Sequence, residues 1–231
     1  MKRVHIKLTF TDPVLGMSPS DPAIYEKFIL SRTPDQDFDR ADELEALEGL
    51  DGERNGITVF PRDEEGNPCF LDYQIRGFFK DSCGLLGYVK GTDETGKRSK
   101  TKTNTLSGKL TAYKKVIDGN IFVTPRFIRI HTDEPIGTCQ RPLRAMTAKG
   151  ERNSLACSEE IAAGAWMEFD VILLNDLDVP LLEEWMSYGA LHGMGQWRNS
   201  GKGRFHVDEM KGYNMIGGFA APGCKVEFVD D

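Results

Sequence analysis

Four glycines near the end of the chain frame side chains that can stack, donate hydrogen bonds and carry positive charge. Two glycine pairs are separated by five residues, so the segment 193–203, called here the glycine loop, can adopt positive backbone dihedrals or admit another backbone closely. The candidate ligand-binding residues of this loop are Gly193, Gly195, Gln196, Trp197, Arg198, Asn199, Ser200, Gly201, Lys202 and Gly203. An indole, two cations, two amides and a hydroxyl indicate a recognition loop; the alternative is an ordinary glycine-rich connection.

The elements that must position the glycine loop exclude a dinucleotide-binding fingerprint. Residues 179–191 have the spacing of an amphipathic helix, capped by the segment 175–178, and residues 203–207 have the alternation of a strand. The fingerprint needs the opposite order, a strand before the glycines and a helix after them. His192, at the end of the helix, is a further candidate that could bond a ligand phosphate. The alternative is a helix-end histidine that is satisfied locally.

The tryptophans on either side of Gly193 are predicted to have different roles. Trp185 belongs to the apolar side of the helix together with Leu181, Leu182 and Leu191, which indicates a core position. Trp197 stands between the glycine pairs, where no periodicity assigns it to a core, and is predicted to contact a ligand. The alternative is that Trp197 folds back and anchors the loop.

Charge is distributed unevenly along the chain. The net charge is −7, and residues 1–66 hold 8 Lys/Arg against 15 Asp/Glu, whereas residues 97–152 hold 13 basic and 4 acidic residues. A basic centre in an acidic protein favours a defined anionic ligand over non-specific nucleic-acid binding. Arg141 and Arg144 are the candidate phosphate contacts in this region; a solvated basic loop is the alternative.

Composition and motifs narrow the class of protein. No apolar run approaches the roughly 20 residues of a membrane helix, and the five dispersed cysteines indicate reduced thiols in a cytoplasmic protein. The four histidines show no metal-binding spacing, and neither a catalytic motif nor a cofactor motif is present. The sequence therefore predicts no metal, no cofactor and no membrane association, and it weighs against catalysis without excluding it.

The predicted elements follow a βαββαβ order. In the core, strands are expected at 4–10, 121–130, 165–174 and 203–208, with helices at about 74–86 and 179–191. Outside this core, the sequence predicts a helix at 23–31, an acidic surface helix within 35–53, a strand at 57–60 and a last edge strand at 224–229. A short helix at 109–116, followed by a turn at 118–119, is also expected. Phe78, Phe79 and Cys83 should face inward. This order predicts an α+β, ferredoxin-like (RRM-like) core with an acidic N-terminal insertion and basic loops.

The glycine pattern resembles a known family. Gly-Met-Gly at 193–195, five residues, then Gly-Lys-Gly-Arg-Phe at 201–205 is similar to the C-terminal glycine-rich loop of the RAMP superfamily, the ferredoxin-like RNA-binding proteins of CRISPR effector complexes. Residues 75–80 also resemble the Ile-Pro-Gly-x-x-x-Lys-Gly segment that opens the first helix in that family. Arg76 replaces the proline and Lys80 comes one position early, so Lys80 is a candidate ligand contact or an ordinary surface lysine.

The resemblance implies a domain plan and a function. It implies one RAMP-like domain over 1–231, with the acidic insertion at about 12–66, a basic flexible loop at about 90–110 and a thumb-like excursion at about 131–162. The implied function is non-catalytic binding of RNA or a nucleotide, as in CRISPR effector backbone subunits, alone or within a nucleoprotein complex or self-association. The whole sequence also resembles phage or prophage proteins. The alternatives are therefore an anti-defence protein that sequesters a signalling nucleotide or docks on a host complex, and a RAMP-type endoribonuclease.

Overall fold

The computed structural model describes residues 1–20, 57–92, 98–147, 150–175, 178–215 and 228–229. The predicted helices within 21–56 and most of the predicted last strand lie outside these ranges. The described residues form a mixed α+β structure, as predicted. Its helices are α1 Asp72–Leu86, α2 Tyr113–Asn120 and α3 Val179–His192, with 3₁₀ turns at Ser107–Lys109 and Arg198–Ser200.

The strands fall into two larger sheets and one two-stranded ribbon. They are β1 Lys2–Phe10, β2 Val14–Leu15, β3 Ser18–Pro19, β4 Ile57–Val59, β5 Cys69–Leu71, β6 Lys90–Thr92, β7 Arg98–Thr103, β8 Ile121–Thr124, β9 Phe127–His131, β10 Gly137–Thr147, β11 Gly150–Ile161, β12 Trp166–Leu173, β13 Phe205–Met215 and β14 Phe228–Val229. The central sheet has the order β14-β13-β1-β12-β9-β5, and β8 also pairs with β12. The second sheet has the order β10-β11-β4-β3, with β2 on β11.

Strand β1 lies in the middle of the central sheet and pairs antiparallel with both β12 and β13. Its apolar residues Val4, Ile6, Leu8 and Phe10 are buried, whereas the residues between them are partly exposed. This alternation, visible in the sequence, follows from the pleat of a strand that has one covered face. The prediction of a half-buried first strand is confirmed.

Helices α1 and α3 pack together on the covered face of the central sheet. Phe79 of α1 and Trp185 of α3 place their ring centroids 5.6 Å apart. Trp185 has no exposed surface, and its Nε1 donates to Ser107 Oγ at 2.9 Å. The predicted inward positions in α1 and the core role of Trp185 are confirmed. Leu191, also predicted to be on the apolar side of α3, is 76% exposed because six residues of helix rotate it about 240° away from Trp185.

The boundaries of α3 follow from local chemistry. Pro180 stands in the first turn, where its missing N–H costs nothing. Asp178 occupies the residue before the helix, as predicted, but its side chain makes no capping hydrogen bond. The helix ends at Gly193, whose φ of +92° is open to glycine and rarely to other residues.

Three predicted elements differ from the structure. The single strand expected at 121–130 is two strands, β8 and β9, separated at Pro125, which has no N–H to donate to a ladder. The turn expected at 118–119 lies inside α2, because the fully buried Ile117 holds this helix against the core. The short strand expected at 203–207 extends to Met215, since β13 pairs with β1 over the whole length of β1.

The long connection expected at 131–161 contains a β-hairpin. Strands β10 and β11 pair antiparallel from Gly137↔Glu160 to Thr147↔Gly150. The base of the hairpin joins the second sheet, where β11 pairs in parallel with β4 through Ser158↔Thr58. The hairpin thereby reaches the glycine loop. None of the helices in the described ranges is long and apolar enough to cross a membrane.

Candidate functional site

The two ends of the glycine loop are held together backbone to backbone. Met194 N donates to Gly203 O at 2.8 Å, and Met194 is only 1% exposed. A Cβ on Gly203 would lie 1.8 Å from Met194 O, and one on Gly193 would lie 2.3 Å from Lys202 O. Only glycine fits at these two positions, because real side chains do not approach backbone oxygens so closely.

The base of the loop docks on Pro13 and on strand β2, which follows it. Gly203 N donates to Pro13 O at 2.8 Å, and a Cβ on Gly195 would lie 3.0 Å from Leu15 O. Gly201 differs from the other three glycines, because a Cβ there would meet nothing closer than the Arg204 side chain at 3.5 Å. The glycines therefore fix the two ends of the loop and leave its tip, with Asn199 and Ser200, exposed.

Trp197 stands at the start of the exposed tip in an unusual backbone conformation. Its φ is +57°, which is rare for a bulky side chain, and the residue is 41% exposed. Ser200 holds it there, because Ser200 Oγ donates to Trp197 O at 2.8 Å and Ser200 N donates to the same oxygen at 3.1 Å. Such conformations cost of order 1–3 kcal/mol and concentrate at functional sites. The sequence placed Trp197 outside the core, and its partial exposure agrees.

Arg141 reaches the loop from strand β10. The residue is 7% exposed, and its guanidinium carbon lies 5.3 Å from the centre of the Trp197 ring. Its Nη1 donates to Ser158 Oγ at 3.1 Å and its Nη2 to Gln196 Oε1 at 2.8 Å. Arg141 forms no ion pair with the residues that the structure describes, so a buried cation is balanced here only by neutral oxygens. Burying an uncompensated charge is costly, and an anionic group nearby would stabilise it.

Two ion pairs fix the flanks of the glycine loop. Arg198 pairs with Asp81 of α1, and Lys202 Nζ lies 2.6 Å from Glu160 Oε2 of β11. His192 stacks on Tyr188 with ring centroids 5.2 Å apart, and its Nε2 lies 4.0 Å from Asp81 Oδ2. Burial, reinforced by the Arg198 cation and opposed by Asp81, lowers the pKa of His192. The neutral ring is therefore favoured at neutral pH.

Two candidate residues are placed differently from the rest. Lys80 pairs with Asp118 of α2, so its ammonium group is engaged there and not by the glycine loop. Arg144 lies on β10, where it pairs with Asn153, and only its backbone is described. The structure thus brings together the ten loop residues, His192 and Arg141.

Four residues that the sequence did not single out belong to the site. The hydroxyl oxygens of Thr58 and Ser158 lie 2.7 Å apart, within hydrogen-bonding distance, next to Gln196. Asp81 and Glu160 form ion pairs with the two cations of the loop, Arg198 and Lys202. Thr58 and Ser158 meet through the parallel pairing of β4 with β11, which no local sequence pattern predicts. Asp81 and Glu160 gave no signal in the sequence either, because each is an ordinary carboxylate on a helix or strand surface.

The remaining reactive groups of the described residues do not form a second centre. No three His, Cys, Asp or Glu side chains of the described ranges are grouped so that they could hold a metal ion. Cys69, Cys83, Cys139 and Cys157 are free thiols. Burial raises the pKa of Cys69 to about 12 and also raises that of Cys83, which keeps both thiols protonated and weakly reactive.

Comparison with known proteins finds solved structures of similar fold but no match by sequence. Neither a family model nor a curated protein matches the sequence. Among solved structures, a chain of the cryo-EM structure of the type III-B Cmr-beta bound to cognate target RNA is similar to this chain, with a TM-score of 0.47 and 11% sequence identity. The similarity covers 91% of the present chain, which spans only 60% of the length of the other. A similarity of this size identifies neither a function nor a ligand for the present chain.

Proposed function

We propose that this chain is a non-catalytic, RAMP-type protein that binds single-stranded RNA at the glycine loop. The observation that carries the proposal is the buried Arg141 guanidinium beneath the partly exposed Trp197 ring, without a carboxylate partner among the described residues. An exposed ring face offers stacking to a base, and a cation that none of the described carboxylates pairs with attracts the phosphate that accompanies the base. These are the two contacts that single-stranded nucleic acids use with most of their binding proteins.

The topology supports a ferredoxin-like core behind this site. Within the central sheet, the neighbouring strands β13-β1-β12-β9 all pair antiparallel. Along the chain, α1 lies between β1 and β9, and α3 lies between β12 and β13. A βαββαβ chain forms a sheet of that order when it folds as two βαβ halves. In this arrangement the glycine loop joins the second helix to the fourth strand, which is the position that the glycine motif occupies in the family that the sequence resembles.

The tip of the glycine loop is suited to stacking a base on an exposed ring and not to enclosing a ligand in a pocket. Trp197, Asn199 and Ser200 are exposed, and Gly201 has no atom within 3.4 Å of the position that a Cβ would take. The exposed part of the Trp197 ring is therefore open to a stacked base. The Arg141 guanidinium adds a cation–π contact that holds the ring in one orientation, and a ring held in place loses less entropy on binding.

We assign no cleavage step to this site. His192 directly precedes the glycine loop, and its ring is already stacked on Tyr188 and faces Asp81. Asp81 is in turn paired with Arg198. These contacts explain a structural role, in which His192 and Asp81 hold the helix end and the loop at a fixed distance.

Replacement of Trp197 tests the proposal. Base stacking on an aromatic side chain contributes about 1–3 kcal/mol, so Trp197→Ala should weaken binding of a fluorescently labelled single-stranded RNA about tenfold or more. Phe122→Ala is the matched control, because Phe122 is a similarly exposed aromatic residue, at 37%, on strand β8, outside the glycine loop. Equal affinity of the two variants, measured by fluorescence anisotropy, would contradict the assignment of the site.

The length of the ligand separates RNA from a small signalling nucleotide. Protein purified from cells without nuclease treatment should carry RNA of several nucleotides, visible as added mass by native mass spectrometry. A single bound species with the mass of a nucleotide or dinucleotide would show that the ligand of this site is a small signalling nucleotide and not RNA. Loss of the added mass in Trp197→Ala, and its retention in Phe122→Ala, would locate the ligand at the loop in either case.

A further inference from the structure

The side-chain amide of Gln196 is held by its oxygen. Gln196 Oε1 accepts a hydrogen bond from Arg141 Nη2 at 2.8 Å, and the hydroxyl oxygens of Ser158 and Thr58 each lie 3.5 Å from the same atom. A guanidinium group can only donate hydrogen bonds. The oxygen of the amide must therefore face Arg141, and the orientation of the amide is fixed by chemistry.

The nitrogen end of the same amide faces no acceptor in the described part of the chain. The contacts from Arg141, Ser158 and Thr58 all end on the amide oxygen, and Nε2 donates to none of the described residues. Gln196 is half-buried and directly precedes Trp197, the ring on which the proposed function places a base. Two N–H donors of fixed direction thus stand beside the stacking position.

We infer that Gln196 determines base specificity at the glycine loop by donating from Nε2 to a carbonyl oxygen of the stacked base, so that uracil is bound in preference to adenine. Uracil offers carbonyl oxygens on its pairing edge, and these accept hydrogen bonds from an amide N–H. This inference rests on the proposed function, since it names the base that the same site would take. Arg141 acts as a positioning residue because it holds the amide without touching the base.

Adenine is disfavoured for a reason that the same contacts supply. A glutamine reads adenine through two bonds, in which the amide nitrogen donates to a ring nitrogen and the amide oxygen accepts from the exocyclic amino group. Here the oxygen already faces the Arg141 guanidinium and the two hydroxyls. The amino group of adenine would meet donors and would lose its hydrogen bond to water without replacement.

Gln196→Glu separates the two ends of the amide. The carboxylate keeps an acceptor for Arg141, and strengthens that contact by its charge, but it removes both N–H donors. Gln140→Glu is the matched control, because it makes the same chemical change at an exposed position of β10, outside the glycine loop. Any general repulsion of RNA by the added charge is then common to both variants.

The experiment compares the octaribonucleotides U8 and A8 by anisotropy titration of the intact chain and the two variants. We expect the wild-type protein and Gln140→Glu to prefer U8 over A8, and Gln196→Glu to lower that preference about fivefold, which corresponds to about 1 kcal/mol. Equal affinities for U8 and A8 in the wild-type protein, or an unchanged preference in Gln196→Glu, would overturn the inference and leave the proposed function standing. Failure of the wild-type protein to bind either oligonucleotide would overturn both.

Discussion

At the scale of single residues, the glycine loop uses glycine for two different reasons. Gly201 and Gly203 both have positive φ, at +87° and +72°. Gly201 is otherwise open, whereas a Cβ on Gly203 would lie 1.8 Å from Met194 O. Gly201 is thus required for backbone conformation alone, and Gly203 is required for both conformation and space.

This difference predicts the stability of two alanine variants. Gly201→Ala should lower the free energy of unfolding by about 1 kcal/mol, the cost of a left-handed non-glycine residue. Gly203→Ala should lower it by at least about 3 kcal/mol, because the Met194 carbonyl must move and the 194–203 hydrogen bond is lost. Urea unfolding of both variants measures the difference, and equal losses would show that the loop ends separate easily.

The residue scale also explains which parts of the site could be predicted from sequence. The glycine spacing and the absence of periodicity around Trp197 were sufficient to identify the loop and its exposed ring. From the sequence, Arg141 is only one of many cations in a basic region, where it is predicted to contact a phosphate. Its burial depends on Ser158 and Gln196, which lie 17 and 55 residues away in the chain. Such contacts are set by tertiary pairing and leave no local pattern.

At the scale of elements, strand β11 is attached to the rest of the protein by two neighbouring carboxylates in different surroundings. The side chain of Glu159 is 4% exposed, and it accepts from Arg62 Nη2 at 2.7 Å and from Phe60 N at 2.9 Å. The side chain of Glu160 is 27% exposed and pairs with Lys202 of the glycine loop. Consecutive residues of a strand point to opposite sides, so β11 is fixed to the second sheet on one side and to the loop on the other.

Burial decides the expected cost of breaking each pair. Arg62→Ala removes the Arg62 guanidinium from the buried Glu159 carboxylate and should lower the free energy of unfolding by about 3 kcal/mol. Lys202→Ala breaks a more exposed pair and should cost less than about 1 kcal/mol. Chemical denaturation of the two variants makes the comparison. If Lys202→Ala proved the more damaging change, the loop and not the sheet contact would hold the hairpin base.

Element type was predictable where one surface of an element is covered. The alternation of β1 and the apolar side of α1 follow from burial against a core, and both agree with the structure. The division of 121–131 into β8 and β9, the helix through 118–119 and the hairpin at 137–161 were not predicted. The helix and the hairpin base depend on partners distant in sequence, namely the core around Ile117 and strand β4. The division of the strand at Pro125 is a local signal that the apolar pattern of the segment outweighed in the prediction.

At the scale of the whole molecule, the positive charge near the glycine loop is largely neutralised. Arg198 and Lys202 are paired with Asp81 and Glu160, and the protein as a whole carries a net charge of −7. Contacts to several phosphates would therefore have to come from the basic region at 97–152, to which β7 and β10 belong. A ligand confined to the loop and a ligand that also follows this region differ in the number of phosphates neutralised.

The salt dependence of binding distinguishes these two cases. For single-stranded RNA, each phosphate contact contributes about −0.7 to the slope of log K against log salt concentration. If β7 binds phosphates, replacing Arg98, Lys100 and Lys102 by glutamine should reduce the magnitude of the slope by about two, since three contacts are lost. The control replaces Lys2, Arg129 and Lys211, three cations of the central sheet, by glutamine and changes the net charge equally. An effect of the same size in both variants would indicate that long-range charge alone changes the slope. An unchanged slope in the β7 variant would confine the ligand to the glycine loop. Stacking on Trp197 and the amide of Gln196 would then account for its binding.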